Sequence, residues 1–250
     1  VTGDITIPEG DTLTIEAGVN IYFDGVFDII AEGIIIADGT EEEPIIFTSG
    51  ENIPASNDWG IIELHSPNNE FRFIEYKYAT NGFLGHDVSG SVFENCKITQ
   101  IDVFPDEDEH GDHRWHCHAF EFEECNACIF SHNIIDAPLY HGIEIEGSAN
   151  DVIITNNTFN IHGLPIELVN PRNSIISFNE LTNVINGGIE ADGCDNCTFE
   201  DNNLQSEDGN AIYGIQSIGS DSLSIIDNTV SISGSYGLNI SSGSNHTIEQ

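Results

Sequence analysis

The chain repeats itself with a fixed period, and that period limits its fold more than any other feature. Four strings, AFEFEE, GIEIEG, PIELVN and GIEADG, carry Glu121, Glu144, Glu167 and Glu190, each 23 residues after the last, and one further step reaches Tyr213. Apolar residues flank these positions: Phe120, Ile143, Ile166, Ile189 and Ile212 on one side, Phe122, Ile145, Leu168 and Ala191 on the other. Alternation of this kind marks a β-strand whose apolar side chains face a core and whose glutamates face solvent. A helical solenoid would show a period near 3.6 instead, and the sequence has none.

A second register falls later in each repeat. HNII, NNTF, FNEL, DNNL and DNTV align Asn133, Asn157, Asn179, Asn202 and Asn228, with Ile135, Phe159, Leu181, Leu204 and Val230 two residues on. Asparagine tolerates the left-handed turn conformation and can bond to its copies above and below, so this column is structural. In the preceding repeat, NCKI puts Cys96 in the asparagine position. These registers, with the stretches GDITIPEGDTLTIEAGVNIYFDG, IIADGTEEEPIIFTSG and DWGIIELHS followed by FIEY, resemble the parallel β-helix repeat family of secreted bacterial and archaeal surface and carbohydrate-active proteins. The resemblance covers nearly the whole chain. It implies an all-β fold, a right-handed single-stranded parallel β-helix of about ten coils, each rising about 4.8 Å. One domain is expected over residues 1–250, with irregular opening coils over 1–58, regular repeats over 59–250 and an inserted loop over 104–118. Because HTIEQ stops within a repeat, the chain is expected to be a piece of a longer protein.

Composition excludes some partners. The 250 residues hold 43 acidic against 5 basic side chains, a formal charge of −38. Nucleic acids and anionic membranes are recognised by clustered Lys and Arg, and here the only cationic residues are Arg72, Lys77, Lys97, Arg114 and Arg172. No apolar run approaches the roughly 18 residues of a membrane-spanning helix. An acidic coat suits a marine or hypersaline exterior, or the binding of divalent cations. Six cysteines, an even number, fit disulfides in an extracellular or cell-surface protein. Cys125 and Cys128 follow Glu121 by four and seven residues, as Cys194 and Cys197 follow Glu190. The two pairs thus occupy the same turn three coils apart, roughly 14 Å, too far for one zinc ion or a cross-link. A disulfide within each turn is expected, leaving Cys96 and Cys117 as the third pair.

One repeat is longer than the rest. From Leu84 to Glu121 is 37 residues, 14 more than the period, and the excess falls in FPDEDEHGDHRWHCH, residues 104–118. His110, His113, His116, His118, His132 and His141 lie in or near it. A loop leaving the coil just before the glutamate strand is expected to overhang the carboxylate strip, and long loops in compact repeats tend to be functional. On that strip Glu121, Glu144, Glu167 and Glu190, with Glu123, Glu146 and Asp192 in an adjoining outward column, lie a strand spacing apart. Either some carboxyl pKa values rise or cations neutralise the stack. His118 and His141 each precede a glutamate by three residues, and two His with two Glu make a ligand set for a divalent metal. Asp106, Asp108, His110, Gly111 and Asp112 follow the first half of a calcium loop, but Cys117 stands where its bidentate glutamate belongs. His113, His116 and His118 offer zinc or copper an alternative. The metal candidates are therefore Asp106, Asp108, Asp112, His113, His116, His118, His141, Glu121 and Glu144, with calcium preferred.

Three functions follow. The preferred reading is an extracellular acidic surface module that binds a polysaccharide or cell-surface glycan, divalent cations, or both, because no transferable catalytic signature stands in the sequence. The alternative is a polysaccharide lyase or glycoside hydrolase. Stacked carboxylates approach the ~5 Å of retaining glycosidases, or His118 or His141 acts as base, Tyr140 as acid and Arg114 as charge stabiliser. Glu121, Glu144 and Glu167 complete that catalytic set. The third reading, suggested by the histidine loop, is a transition-metal-binding β-helix. Trp115 could stack on a sugar or pin the loop. Calcium, high salt and mild acid are each expected to stabilise the stacked carboxylates.

Overall fold

The structure is a computed structural model that describes residues 1–101, 117–147, 150–206, 211–233 and 236–249. The alternating segments form short strands, and these fall into three parallel sheets running the length of the molecule. Ten strands stack in the first sheet, from Ile5–Ile7 to Tyr236–Ser241, and ten in the second, from Thr12–Ile15 to Thr247–Glu249. Nine form the third, from Asn20–Phe23 to Thr229–Ser231. Each turn of chain gives one strand to each sheet, making a right-handed parallel β-helix of about ten coils with no helix among the described residues. Residues 1–58 already contribute strands to all three sheets.

Parallel pairing sets each residue over its copy one coil away. Ile143, Ile166 and Ile189 pair in register in the first sheet, and their side chains are fully buried. In the earlier coils aromatic rings do the same work. Phe71, Phe93 and Phe130 stack with centroids 5.4 and 5.3 Å apart, and Phe83 lies over Phe120 at 5.4 Å. Each such side chain contributes about 1.5–3 kcal/mol by leaving water.

The second register is an interior ladder. The Nδ2 of Asn133, Asn157 and Asn179 donates to the Oδ1 of the next asparagine at 2.9–3.0 Å and also to a backbone carbonyl of the neighbouring coil. Asn202 and Asn228 extend it, and the Cys96 amide donates to Asn133 Oδ1 at its head. The left-handed residue is not the asparagine, as expected, but its predecessor. His132, Asn156, Phe178, Asp201 and Asp227 have φ between 51° and 56°. That turn frees the asparagine to point inward.

Two further expectations are corrected. The step after Glu190 spans 26 residues, so Gln216 stands opposite Glu190, Tyr213 pairs with Gly187, and Ile212 is exposed rather than aligned with Ile189. The Cys125–Cys128 and Cys194–Cys197 disulfides close equivalent turns, but Cys96 and Cys117 are not joined. Cys96 lies at the corner between the second and third sheets and Cys117 at the corner leading into the first. Their Sγ atoms donate to the carbonyls of Phe71 and Thr80 respectively, and burial pushes the Cys96 thiol up to about 12.

Asn157→Ala leaves several buried ladder groups without partners, so it should cost about 2–3 kcal/mol, read as a lower urea midpoint with an unchanged slope. Asn160→Ala, on the surface of the same coil, should stay within about 0.5 kcal/mol of wild type. Non-reduced peptide mapping should recover the two short-range disulfides and leave Cys96 and Cys117 alkylatable after unfolding.

Candidate functional site

From residue 118 onward the strands of the first sheet lengthen to six residues, and their alternation is broken once. A β-carbon on Gly142 would lie 2.7 Å from the Phe159 ring, and one on Gly188 would lie 2.1 Å from Leu204 Cδ2. These positions therefore face the core, as do Ile143 and Ile189 beside them. Ala119, fully buried, holds the same place before Phe120. Two successive inward residues turn the first residue of the strand outward. His118 and His141 thus share a face with Glu121 and Glu144, whereas a strict period of two would have sent them into the core.

Register then assembles the cluster. His118 pairs with His141, and Glu121, Glu144, Glu167 and Glu190 form one continuous column. The two imidazoles lie 4.9 Å apart between centroids. His118 Nδ1 is 2.9 Å from both Glu121 Oε2 and Glu144 Oε2. His141 Nδ1 is 2.9 Å from Glu144 Oε2, and its Nε2 is 3.0 Å from Glu167 Oε2. His118, His141 and Glu144 are all buried, so the expectation of a uniformly exposed glutamate column fails at Glu144. The flanking imidazoles cover it.

Electrostatics follows from this interleaving. Burial alone would lower the pKa of both histidines, but hydrogen bonds and charge from the carboxylates outweigh it. His118, between Glu121 and Glu144, is raised, and His141, between Glu144 and Glu167, is raised to about 9. Burial alone would raise Glu144, yet the two imidazoles hold it well below the usual carboxylate range. The carboxylates thus favour the imidazolium form of both rings, and that charge offsets the repulsion within the stack. Repulsion surfaces in the adjoining column. Burial, then Glu144 and Glu123, raises Glu146, while burial, then Glu190 and Glu167, raises Asp192.

The other candidates are placed as follows. The Tyr140 ring packs on His141 at 4.4 Å and faces His118 at 6.2 Å. Asp106, Asp108, Asp112, His113, Arg114, Trp115 and His116 lie outside the described residues, and with them the expected overhang of the 104–118 loop. The remaining paired cations serve other faces: Arg72 with Glu70 and Glu94, Lys77 with Glu75, Arg172 with Asp195.

Sequence reasoning missed two features. His65 pairs with Glu63 at 3.0 Å and His86 with Glu123 at 2.9 Å, and the two rings stack at 6.2 Å. Beside them Leu84, Gly85, Glu121 and Glu146 border a hollow of about 120 Å³. Register was the available signal, because His86 falls two residues after Leu84 as Glu123 does after Glu121. The second feature is that all the long links between the third and first sheets occur at one corner. The links from Ser49 to Ile62, from Thr99 to His118 and from Gln205 to Tyr213 are the long ones, where regular coils need only 137–140, 161–163 or 183–186.

The family model of a right-handed β-helix region matches residues 113–250, and that of a pectate-lyase-like β-helix domain matches residues 1–70. No curated protein matches the sequence. Among solved structures, an alginate lyase from Paenibacillus sp. str. FPU-7 is similar with a TM-score of 0.58 at 12% identity, over 99% of this chain and 98% of that one. A double mutant of the periplasmic alginate epimerase AlgG also gives 0.58, at 11% identity, over 98% of this chain and 77% of that one. At such identities the likeness is one of fold.

The shifts give a signed pH dependence for chelator-treated protein. His141, raised, stabilises fully below its ordinary value of 6.5 and loses that contribution as pH rises through about 9. Glu144, lowered, stabilises above its ordinary value of 4.5 and keeps doing so until pH falls well below it. Glu146 and Asp192, raised, destabilise at neutral pH and stop doing so when protonated. The melting temperature should therefore climb as pH falls from 9 to about 5.5. His141→Gln should flatten the part of that climb above pH 6.5, and a pH-independent melt would refute the ion ladder.

Proposed function

The chain belongs to the right-handed β-helix family, and we propose that it is an extracellular glycan-binding module whose ligand, an uncharged polysaccharide, lies along the outward face of the first sheet. The observation that carries this reading is the clustering of extra chain at the one corner that leads into that sheet. Long links on a rigid repeat are where binding groups collect. The outward face of that sheet offers carboxylates and amides, with Glu190 followed in register by Gln216 and Asn239, which accept hydrogen bonds from sugar hydroxyls. The hollow at Leu84 and Gly85 gives that face a recess. Its negative charge repels uronate polymers, which favours an uncharged ligand. An alginate lyase and an alginate epimerase use a similar fold, in keeping with a polysaccharide partner. Two disulfides support an oxidising, extracellular setting.

The lyase or hydrolase alternative asks for a group that exchanges its proton near neutral pH. In the metal-free cluster the carboxylates raise His141 to about 9 and the two imidazoles hold Glu144 well below the carboxylate range, which weighs against either as that group. Affinity electrophoresis against neutral and uronate polysaccharides tests the reading. Wild type should be retarded by a neutral polymer, and Leu84→Trp, which fills the hollow, should weaken that retardation at least about tenfold, or 1.4 kcal/mol. Ile175→Trp, on the outer surface of the second sheet, should leave it unchanged. Retardation indifferent to Leu84→Trp would remove the ligand from this face, and release of shortened or unsaturated products would establish the enzyme reading.

A further inference from the structure

We infer that His118, His141 and Glu144 form a binding site for one divalent transition-metal ion of the zinc class. Among the described residues these three side chains are the set of His, Cys, Asp and Glu whose donor atoms all lie within 4.8 Å of one another, and all three are buried. The set is built into the scaffold. His118 and His141 come from adjacent, paired strands, and Glu144 lies three residues beyond His141 on the same strand. Strand spacing therefore fixes the separation of the donors before any ion arrives.

The individual atoms suit coordination. Glu144 Oε2 lies 2.9 Å from His118 Nδ1 and 2.9 Å from His141 Nδ1, so two ring nitrogens and one carboxylate oxygen converge. Zinc bonds such donors at about 2.0–2.2 Å, so the three atoms need only part slightly to admit it. Glu121 Oε2 lies 2.9 Å from His118 Nδ1, beside the set and outside the three donors that converge. His141 turns its other nitrogen, Nε2, to Glu167 Oε2 at 3.0 Å. A carboxylate holding the far nitrogen of a ligating imidazole fixes the orientation of that ring toward a metal. Tyr140, packed across both rings, restricts them further. Calcium, which takes six to eight oxygens, finds too few here and meets two nitrogens instead.

Binding is measured on chelator-dialysed protein by titration calorimetry with Zn²⁺ and with Ca²⁺, without any glycan, so the result stands apart from the polysaccharide reading. Wild type should take up one Zn²⁺ per chain with a rise in melting temperature, and calcium should not displace it. Glu144→Gln and His141→Ala should abolish that uptake. Glu167→Gln, which keeps every ligand, should weaken it about 10–100-fold. Circular dichroism at the working temperature checks that each variant is folded. Should His141→Ala unfold, Co²⁺ substituted into wild type must give the visible spectrum of a four-coordinate nitrogen and oxygen site. No stoichiometric Zn²⁺ in wild type, uptake surviving in folded Glu144→Gln, or a six-coordinate all-oxygen cobalt spectrum would each overturn the assignment.

Discussion

Everything in this molecule follows from parallel backbone pairing between coils. Each strand bonds to its copy in the next turn, so any side chain is set about 4.8 Å from the side chain one repeat later. A favourable choice is thereby multiplied along the axis, and so is an unfavourable one. Isoleucine over isoleucine and phenylalanine over phenylalanine extend the core at no electrostatic cost. Polar side chains face a stricter test, because a group stacked on its own kind must be able to bond to itself.

The two polar columns meet that test differently. A carboxamide carries both donor and acceptor, so Asn133, Asn157, Asn179 and Asn202 satisfy one another inside the coil and need no other residue type. A carboxylate only accepts. Glu121, Glu144 and Glu167 could not be stacked and partly buried without a donor between them, and His118 and His141 provide it from the neighbouring column. Where the imidazoles end, the solution changes. Tyr213 donates its hydroxyl to Glu190, and the column then becomes amide, with Asn239 Nδ2 bonded to Gln216 Oε1 at 2.8 Å.

Legibility in the sequence follows the same physics. The glutamate column and the two turn disulfides could be read because the 23-residue step keeps register between them, and the asparagine column, whose steps run 24, 22, 23 and 26 residues, because its local motif recurs. Register was lost where a coil changed length without any compositional mark, which is why Tyr213 was aligned with Glu190 instead of Gly187. The nearness of His118 and His141 to the glutamates could be read from spacing, but not the reason they face outward. That depends on a doubled inward step at Ala119 and Gly142, and a pattern with a period of two cannot represent it. The His86–Glu123 pair was legible in the same register, because with Leu84 opposite Glu121 across the insertion His86 falls opposite Glu123, whereas the Glu63–His65 pair lies one coil further back, beyond the regular 23-residue steps.

The same ladders explain why extra chain gathers at one corner. The corner between the second and third sheets is tied from coil to coil by the buried asparagines, beginning at Cys96. The corner between the first and second is tied by Asn126 with Asn150, by Ser174 and by Ser220, and it carries both disulfides. Lengthening either would break a repeating hydrogen bond at both neighbouring coils. In the regular coils the remaining corner, at 137–140, 161–163 and 183–186, is joined to its neighbours mainly by single backbone bonds such as Leu164 N to Tyr140 O, so added residues there cost little. The two looser links between the second and third sheets, residues 16–19 and 39–44, both precede the first rung of the asparagine ladder, as this account requires. The long links thus fall between the third sheet and the first because of what holds the other two corners, and the ionisable cluster lies on the sheet into which they lead.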